Sequence, residues 1–398
     1  MNKETFIEKY AVERKGTHSL KWDALDERFG DPDLLAMWVA DMDFKVADSI
    51  TNALQERVDH AVYGYTVISD DYYQAFSNWM ETHFNLTIPK EWVRFSAGVV
   101  QALLYAIKCY TKENEAVMIQ TPVYYPFHDV VNNTKRKLIK CPLIYNEGDY
   151  EMDFDRFEQL IVDHNVKMYL HCSPHNPAGK VWTEEESIKL LDICQKHQVL
   201  VFSDEIHQDF IFGNQTFIPA FKIKEGAYQS NVITATSASK TFNLASFTHS
   251  HVMIADKKLR AQYDEFMKSE QDFNANAMSV IATQAAYEGG QDWLDHIKEI
   301  IIDNYNHLKT ELHEKAPEIV VSNLEGTYLV MLDLNPILNG MTSKEFIQDR
   351  CKIAIDYGEW FGEEYTGFIR LNLATHPKYV QTAIDRIVRE VEAIKSRP

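Results

Sequence analysis

Lys167-Met-Tyr-Leu-His-Cys172, the loop Ser173-Pro-His-Asn-Pro-Ala-Gly179, the stretch Glu185–His197 and the run Val199-Leu-Val-Phe-Ser203 decide the fold. The short apolar runs at 167–172 and 199–203 read as buried strands, and the spacing of apolar residues across 185–197 reads as a helix between them. Thr183 and Glu186 stand three residues apart at the start of that helix, the arrangement of a capping box. The same alternation extends both ways: a helix over Gln101–Tyr110, strands over Ala116–Gln120 and Lys137–Leu143, a helix over Phe154–Val162, and a strand over Val232–Thr236. Apolar strands alternating with helices mean an α/β fold, a mostly parallel mixed sheet flanked by helices.

Beyond about residue 290 the pattern changes. One long amphipathic helix (Trp293–Leu312) is followed by strands Glu318–Val321 and Tyr328–Leu332, a helix near Lys344, the strand Phe368–Leu373 and a closing helix, a smaller α+β unit. The first 45 residues lack the α/β alternation and are expected to pack with it. The expected division is therefore a large unit over 46–290 and a small one built from 1–45 and 291–398, with a hinge near Gly289-Gly290.

The 398 residues are 45% hydrophobic and 25% charged, enough for a large core. A formal charge of −19 repels phosphate backbones and anionic membranes, so no nucleic-acid or membrane partner is expected. The opening Met-Asn-Lys-Glu-Thr-Phe lacks a signal-peptide core and no stretch reads as a membrane span, which points to the cytoplasm. Five scattered cysteines, an odd number, fit reduced thiols better than a disulfide framework.

In open α/β sheets, ligands bind beyond the carboxyl ends of the strands, so the residues just after each strand carry the functional reading. Strand 232–236 runs into Thr236-Ser-Ala-Ser-Lys-Thr-Phe-Asn-Leu-Ala245. A lysine framed by small hydroxyl residues suits an aldehyde cofactor: a desolvated amine bonds the aldehyde, while Ser237 and Ser239 offer short donors to a phosphate. Pyridoxal 5'-phosphate is the cofactor expected at Lys240, although Ser-Ala-Ser-Lys-Thr taken alone fits a solvated lysine better, and it is the rest of the chain that reverses the reading. Asp204, ending strand 199–203, could pair with a protonated pyridine nitrogen, and His207 could bond the ring's phenolic oxygen. Asp204, His207 and Asp209 also have spacing open to a metal, but no further ligand pair completes a site, and none is expected. The loop 173–179 projects Asn176, an amide able to reach the same ring oxygen, unless it is only a Pro/Gly turn. His171 and His175 straddle the bend and read as structural.

Ser96-Ala-Gly98-Val99-Val100 precedes a helix, whose free N–H groups and positive dipole end suit a phosphate. After strand 116–120, Tyr124 or Tyr125 could stack on a flat ring or simply fill the core. Arg370, in an apolar strand, has the planar fork that grips a substrate carboxylate, unless a structural Asp or Glu claims it.

These blocks resemble the aspartate-aminotransferase-like, fold-type I pyridoxal-phosphate enzymes, and within them the MalY/PatB group of cystathionine β-lyases or C–S lyases. The resemblance runs from Trp38-Val-Ala-Asp-Met-Asp-Phe44 through Tyr63-Gly-Tyr-Thr66, Ala97-Gly-Val-Val100, His175-Asn-Pro-Ala-Gly179, Ser203-Asp-Glu-Ile-His207 and Ser239-Lys-Thr-Phe-Asn243 to Gly367-Phe-Ile-Arg-Leu-Asn372. The first block and His207, where many aminotransferases carry a tyrosine, point to the lyase group. The resemblance implies that Lys240 bonds the cofactor and then moves the substrate's Cα proton. It also implies that Asp204 pairs with the ring nitrogen, Asn176 and His207 approach the phenolic oxygen, and Tyr124 stacks on the ring. Val99 and Val100 N–H groups, following Gly98, would hold the phosphate with Ser237 and Ser239. Tyr65 would reach the neighbouring subunit's phosphate, which implies a homodimer with shared sites, and Arg370, near Ala40 and Trp38, would bind the α-carboxylate of an amino-acid substrate.

The implied reaction is α,β-elimination from cystathionine or cysteine, giving pyruvate, ammonia and a thiol, with transamination as the alternative. A regulatory, protein-binding role would need none of Lys240, Asp204 and Arg370. The chain departs from the family where Ser246-Phe-Thr-His249 replaces a common glycine, adding bulk behind the lysine loop and creating a same-face pair with His251. Trp360, in Tyr357-Gly-Glu-Trp-Phe-Gly362, is bulkier than expected at the substrate mouth.

Overall fold

The computed structural model describes residues 1–270 and 275–396. The capping box closes as read: the Thr183 hydroxyl accepts from the Glu186 N–H at 3.2 Å, and the Glu186 carboxylate accepts from the Thr183 N–H at 2.8 Å. This starts the helix Glu184–Lys196, which buries Leu190, Leu191 and Cys194. The strands on either side are Val166–Cys172 and Leu200–Asp204, paired in parallel.

They lie inside a seven-stranded sheet. Across it the order is Val93–Ser96, Ser250–Ile254, Val232–Thr236, Leu200–Asp204, Val166–Cys172, Ala116–Thr121 and Lys137–Pro142. Ser250–Ile254 is antiparallel to both neighbours, and the other pairings of the sheet are parallel. Because that strand returns beside Val232–Thr236, the chain over 237–249 must turn at the carboxyl edge of the sheet. Lys240 sits in this return, within the short helix Ala238–Thr241.

The helix Val99–Tyr110 packs behind five of the strands and buries Val99, Ala102, Leu103, Ala106 and Ile107. Burying five such side chains contributes roughly 1.5–3 kcal/mol for each of the larger ones and fixes where the helix begins, at the edge that carries Lys240. Helices Asp48–His60 and Asp70–Phe84, which the alternation after residue 98 does not reach, pack on Ala277–Gly289. Gly289 and Gly290 join that helix to Gln291–Lys315. A Cβ on Gly290 would lie 2.3 Å from the Phe242 ring, so the junction is closed to any side chain.

A second sheet runs Val320–Val321, Leu329–Asp333, Phe368–Asn372, Asp356–Tyr357. The first residues of the chain join this region: Leu35–Ala36 pairs in parallel with Ile353–Ala354, and Phe6 lies against Trp293. Among the described residues no helix is long and apolar enough to cross a membrane.

Candidate active site

Five consecutive backbone carbonyls, from Trp38 to Met42, each accept a hydrogen bond from a side chain brought in from elsewhere. Arg370 donates to Trp38 O at 3.2 Å, Asn372 to both Val39 O and Asp41 O at 2.6 Å, and Asn243 to Met42 O at 3.0 Å. Ala40 O takes two donors, Lys240 Nζ at 2.7 Å and the Tyr328 hydroxyl at 2.9 Å. Such a segment, irregular yet buried, is stable because its polar groups are paired. Asp43 anchors its far end by accepting from Lys21 at 2.6 Å, Trp22 at 2.9 Å and Thr375 at 2.7 Å.

Burial lowers the pKa of the Lys240 amine from 10.5 to about 8; Asp41 and Asp204 oppose that shift and Arg370 reinforces it. Asp204 ends its strand fully buried, and burial raises its carboxyl to about 7 against one hydrogen bond, from the Ile206 N–H at 3.1 Å. His207 is buried with Nδ1 unpaired, its ring edge-on to Tyr328, and burial holds it neutral, with Lys240 and Arg370 adding to the effect. Asn176 is placed by the loop beyond Cys172: its carbonyl accepts from the Tyr124 N–H at 3.1 Å and its side-chain oxygen accepts from Arg370 at 2.9 Å. Asn176 thus supports both Tyr124 and Arg370, a link that no local sequence signal reveals.

Arg370 does have the acidic partner that its apolar strand called for. Asp356 stands directly across from it in the neighbouring strand and takes its Nη2. Nη1 goes to Asn176, the guanidinium lies 4.9 Å from the Phe361 ring centre, and Nε is buried without a partner. The structural and the substrate-facing readings of this arginine are therefore compatible: Asp356 orients a fork that keeps an unused donor.

At the start of helix Val99–Tyr110, Gly98 has φ +151° and nothing within 4 Å of where a Cβ would stand. The first N–H groups of the helix, those of Val99 and Val100 included, have no carbonyl one turn back. Ser237 is otherwise engaged. Its hydroxyl donates to His249 O at 2.6 Å and accepts from the Ser239 N–H at 3.1 Å, which makes it the cap of the lysine turn, while the Ser239 hydroxyl makes no hydrogen bond among the described residues. Tyr65 is not brought to this site within the chain: it stands fully exposed in the irregular segment 61–69.

The departures resolve differently. Ser246 is exposed, so its bulk does not enter the site. His249 and His251 converge on the Tyr72 hydroxyl, each Nε2 at 2.7 Å, inside a shell of Phe76, Phe95 and Tyr287. One phenol hydrogen serves two imidazoles, so one ring accepts from Tyr72 while the other donates to it. Tyr72→Phe leaves both nitrogens facing apolar walls and is expected to cost about 2 kcal/mol, read as a lower urea midpoint with an unchanged slope. Trp360 is exposed and stands edge-on to Tyr125 at 6.3 Å and to Tyr357 at 5.3 Å. His175 Nε2 donates to Pro122 O at 2.7 Å and His171 Nδ1 bonds the Tyr169 hydroxyl at 3.0 Å, and no cluster of metal-binding residues occurs among the described residues.

These residues fit pyridoxal phosphate on chemical grounds. A buried carboxyl that makes no ion pair among the described residues, Asp204, would be relieved by a ring N–H⁺, a lysine whose pKa burial lowers to about 8 suits the aldehyde, and the open N-terminal turn at Gly98 suits a phosphate. The chain belongs to the aminotransferase class I and II family, whose model matches residues 33–387. It is similar to cystathionine β-lyase PatB of Bacillus subtilis, 34% identical over 94% of this chain and 97% of that one, and to protein MalY of Escherichia coli, 30% identical over 96% and 98%. Its fold matches the pyridoxal-phosphate-bound C–S lyase of Staphylococcus hominis with a TM-score of 0.90 and 30% identity, covering 96% of this chain and 97% of that one.

Proposed function

We propose that this chain is a pyridoxal-phosphate-dependent carbon–sulfur β-lyase that cleaves cystathionine- or cysteine-type amino acids to pyruvate, ammonia and a thiol. The observation that carries the reading is the joint placement of Lys240 and Arg370, which reach the carbonyls of Ala40 and Trp38, two residues apart on one rigid segment. Full-length similarity to PatB and MalY supports lyase chemistry in particular. When bound, pyridoxal phosphate supplies an electron sink for negative charge at the substrate's Cα.

The chain supplies the rest. Arg370, oriented by Asp356 and Asn176, holds the α-carboxylate, with Trp38 and Ala40 forming the wall beside it. The Lys240 amine, neutral in an appreciable fraction at pH 7, removes the Cα proton. Asp204 would hold the ring nitrogen, Asn176 and His207 would bond the phenolic oxygen, and Tyr124 would support the ring. Gly98, Val99, Val100, Ser237 and Ser239 form the phosphate end, Ser237 by positioning Ser239. The exposed Tyr65 completes that end from a second copy of the chain, so the working unit is a homodimer. Residues 46–290 form the cofactor-holding unit and 1–45 with 291–398 the other, a division supported by the pairing of Leu35–Ala36 with Ile353–Ala354. The expected setting is the cytoplasm.

The deciding experiment supplies cystathionine without a 2-oxo acid. Sustained release of pyruvate and free thiol in equal amounts is expected. Turnover that stops unless a 2-oxo acid is added would replace this reading with transamination.

A further inference from the structure

The Ala40 carbonyl receives the free Lys240 amine, and a second donor, the Tyr328 hydroxyl, shares it. Tyr328 is fully buried, its ring packed edge-on against Phe210 at 5.0 Å and His207 at 5.6 Å, and its backbone carbonyl accepts from the Leu373 N–H. Its hydroxyl therefore has one fixed direction, towards Ala40. We propose that Tyr328 is a positioning residue for Lys240: by occupying one lone pair of the Ala40 carbonyl it fixes that oxygen and restricts the amine to a single hydrogen bond there, leaving the nitrogen lone pair available.

The argument is one of shared acceptors. A carbonyl oxygen has two lone pairs, and each donor it accepts weakens its pull on the other. An ammonium gains more from such an oxygen than a neutral amine does, because hydrogen bonds from charged donors are about twice as strong. With the Tyr328 hydroxyl present, Ala40 O favours the ammonium less, so the amine loses its proton more readily. Without it, the oxygen turns wholly to Lys240, and its flanking residues Val39 and Asp41, still held by Asn372, keep it within reach. The charged or titratable groups that also face the amine are Asp41, Arg370 and Asp204, and none of them changes when the tyrosine hydroxyl is removed. His207, the remaining neighbour, is held neutral.

This inference rests on Lys240 being the attachment point of pyridoxal phosphate and is independent of whether the reaction is elimination or transamination. The test strips the full-length protein of cofactor and follows capture of added pyridoxal phosphate by its absorbance, from pH 6 to 10.5, for the wild type, Tyr328→Phe and Phe210→Leu. For Tyr328→Phe the midpoint of the capture rate is expected to rise by about half a pH unit, an about threefold slower capture at pH 7, with the plateau at high pH within twofold of wild type. Phe210→Leu, which alters ring packing and keeps the hydroxyl, is expected to leave the midpoint in place. A Tyr328→Phe profile that overlays the wild type, or an equal shift in Phe210→Leu, would overturn the positioning role. Failure of capture in the wild type would instead remove the assignment of Lys240 itself.

Discussion

Lys240→Met is expected to lose activity by about 10⁴-fold or more, since in the proposed reaction the residue serves both as attachment point and as proton carrier, each a step on which the rate depends. Pyruvate release from cystathionine measures the loss, and absence of the lysine-bound cofactor's absorbance band locates its cause. Stability is expected to move the other way. In the cofactor-free protein, burial lowers the Lys240 pKa from 10.5 to about 8, so the unfolded chain holds its proton up to a higher pH than the folded one. Between those values the unfolded state binds more protons and stability rises with pH; below about 8 the penalty of a buried ammonium is fully present. Methionine keeps the apolar stem and removes the charge. Cofactor-free Lys240→Met should therefore melt at a higher temperature than cofactor-free wild type at pH 7, with the gain shrinking between pH 8 and 10.5. A variant that melts lower at every pH would show that the bond to Ala40 O outweighs the desolvation.

Arg370→Met is expected to lower both activity and stability, for separable reasons. Taking away one partner of a buried ion pair leaves Asp356 uncompensated in an apolar strand, at a cost of about 3–5 kcal/mol. On the proposed role, losing the carboxylate fork removes about 2–5 kcal/mol of substrate binding, which amounts to a fall in kcat/KM of about 30- to 5,000-fold. Adding Asp356→Asn separates the two. The double variant buries no unpaired charge, so urea unfolding should recover most of the lost stability, while kcat/KM stays low. Recovery of activity along with stability would mean that Arg370 acts only as a strut.

How much of this was legible without coordinates can be judged residue by residue. The strand at 166–172, the capping box at Thr183 and Glu186 and the helix it opens were readable because apolar period and capping depend on neighbours three or four residues apart. So were Lys240, Asp204 and Asn176, because each follows a strand that could itself be read. Asn243, Tyr328, Asn372 and Asp356 carry no local signal: an asparagine inside a turn or a strand looks alike whether or not it holds a carbonyl 200 or more residues away. Ser237 was readable as a hydroxyl beside the lysine, but its capping role depends on where His249 O lies after the chain turns back. The pair His249 and His251 was visible as a same-face pattern, and only packing supplied the Tyr72 hydroxyl between them.

The sequence by itself determined the class of fold, the residue types of the site and the order in which they occur, because these follow from backbone propensity, periodicity and side-chain chemistry within short windows. Only the tertiary structure decided that Lys240 and Arg370 meet the same five-residue segment, that Asp356 orients the arginine, and that Ala40 O is shared with Tyr328. Asp356 and Arg370 are 14 residues apart on paired strands, while the contacts to the 38–42 segment join positions 200 to 332 residues apart, and what brings such positions together is burial of the two sheets and their helices as a whole, which no short stretch encodes.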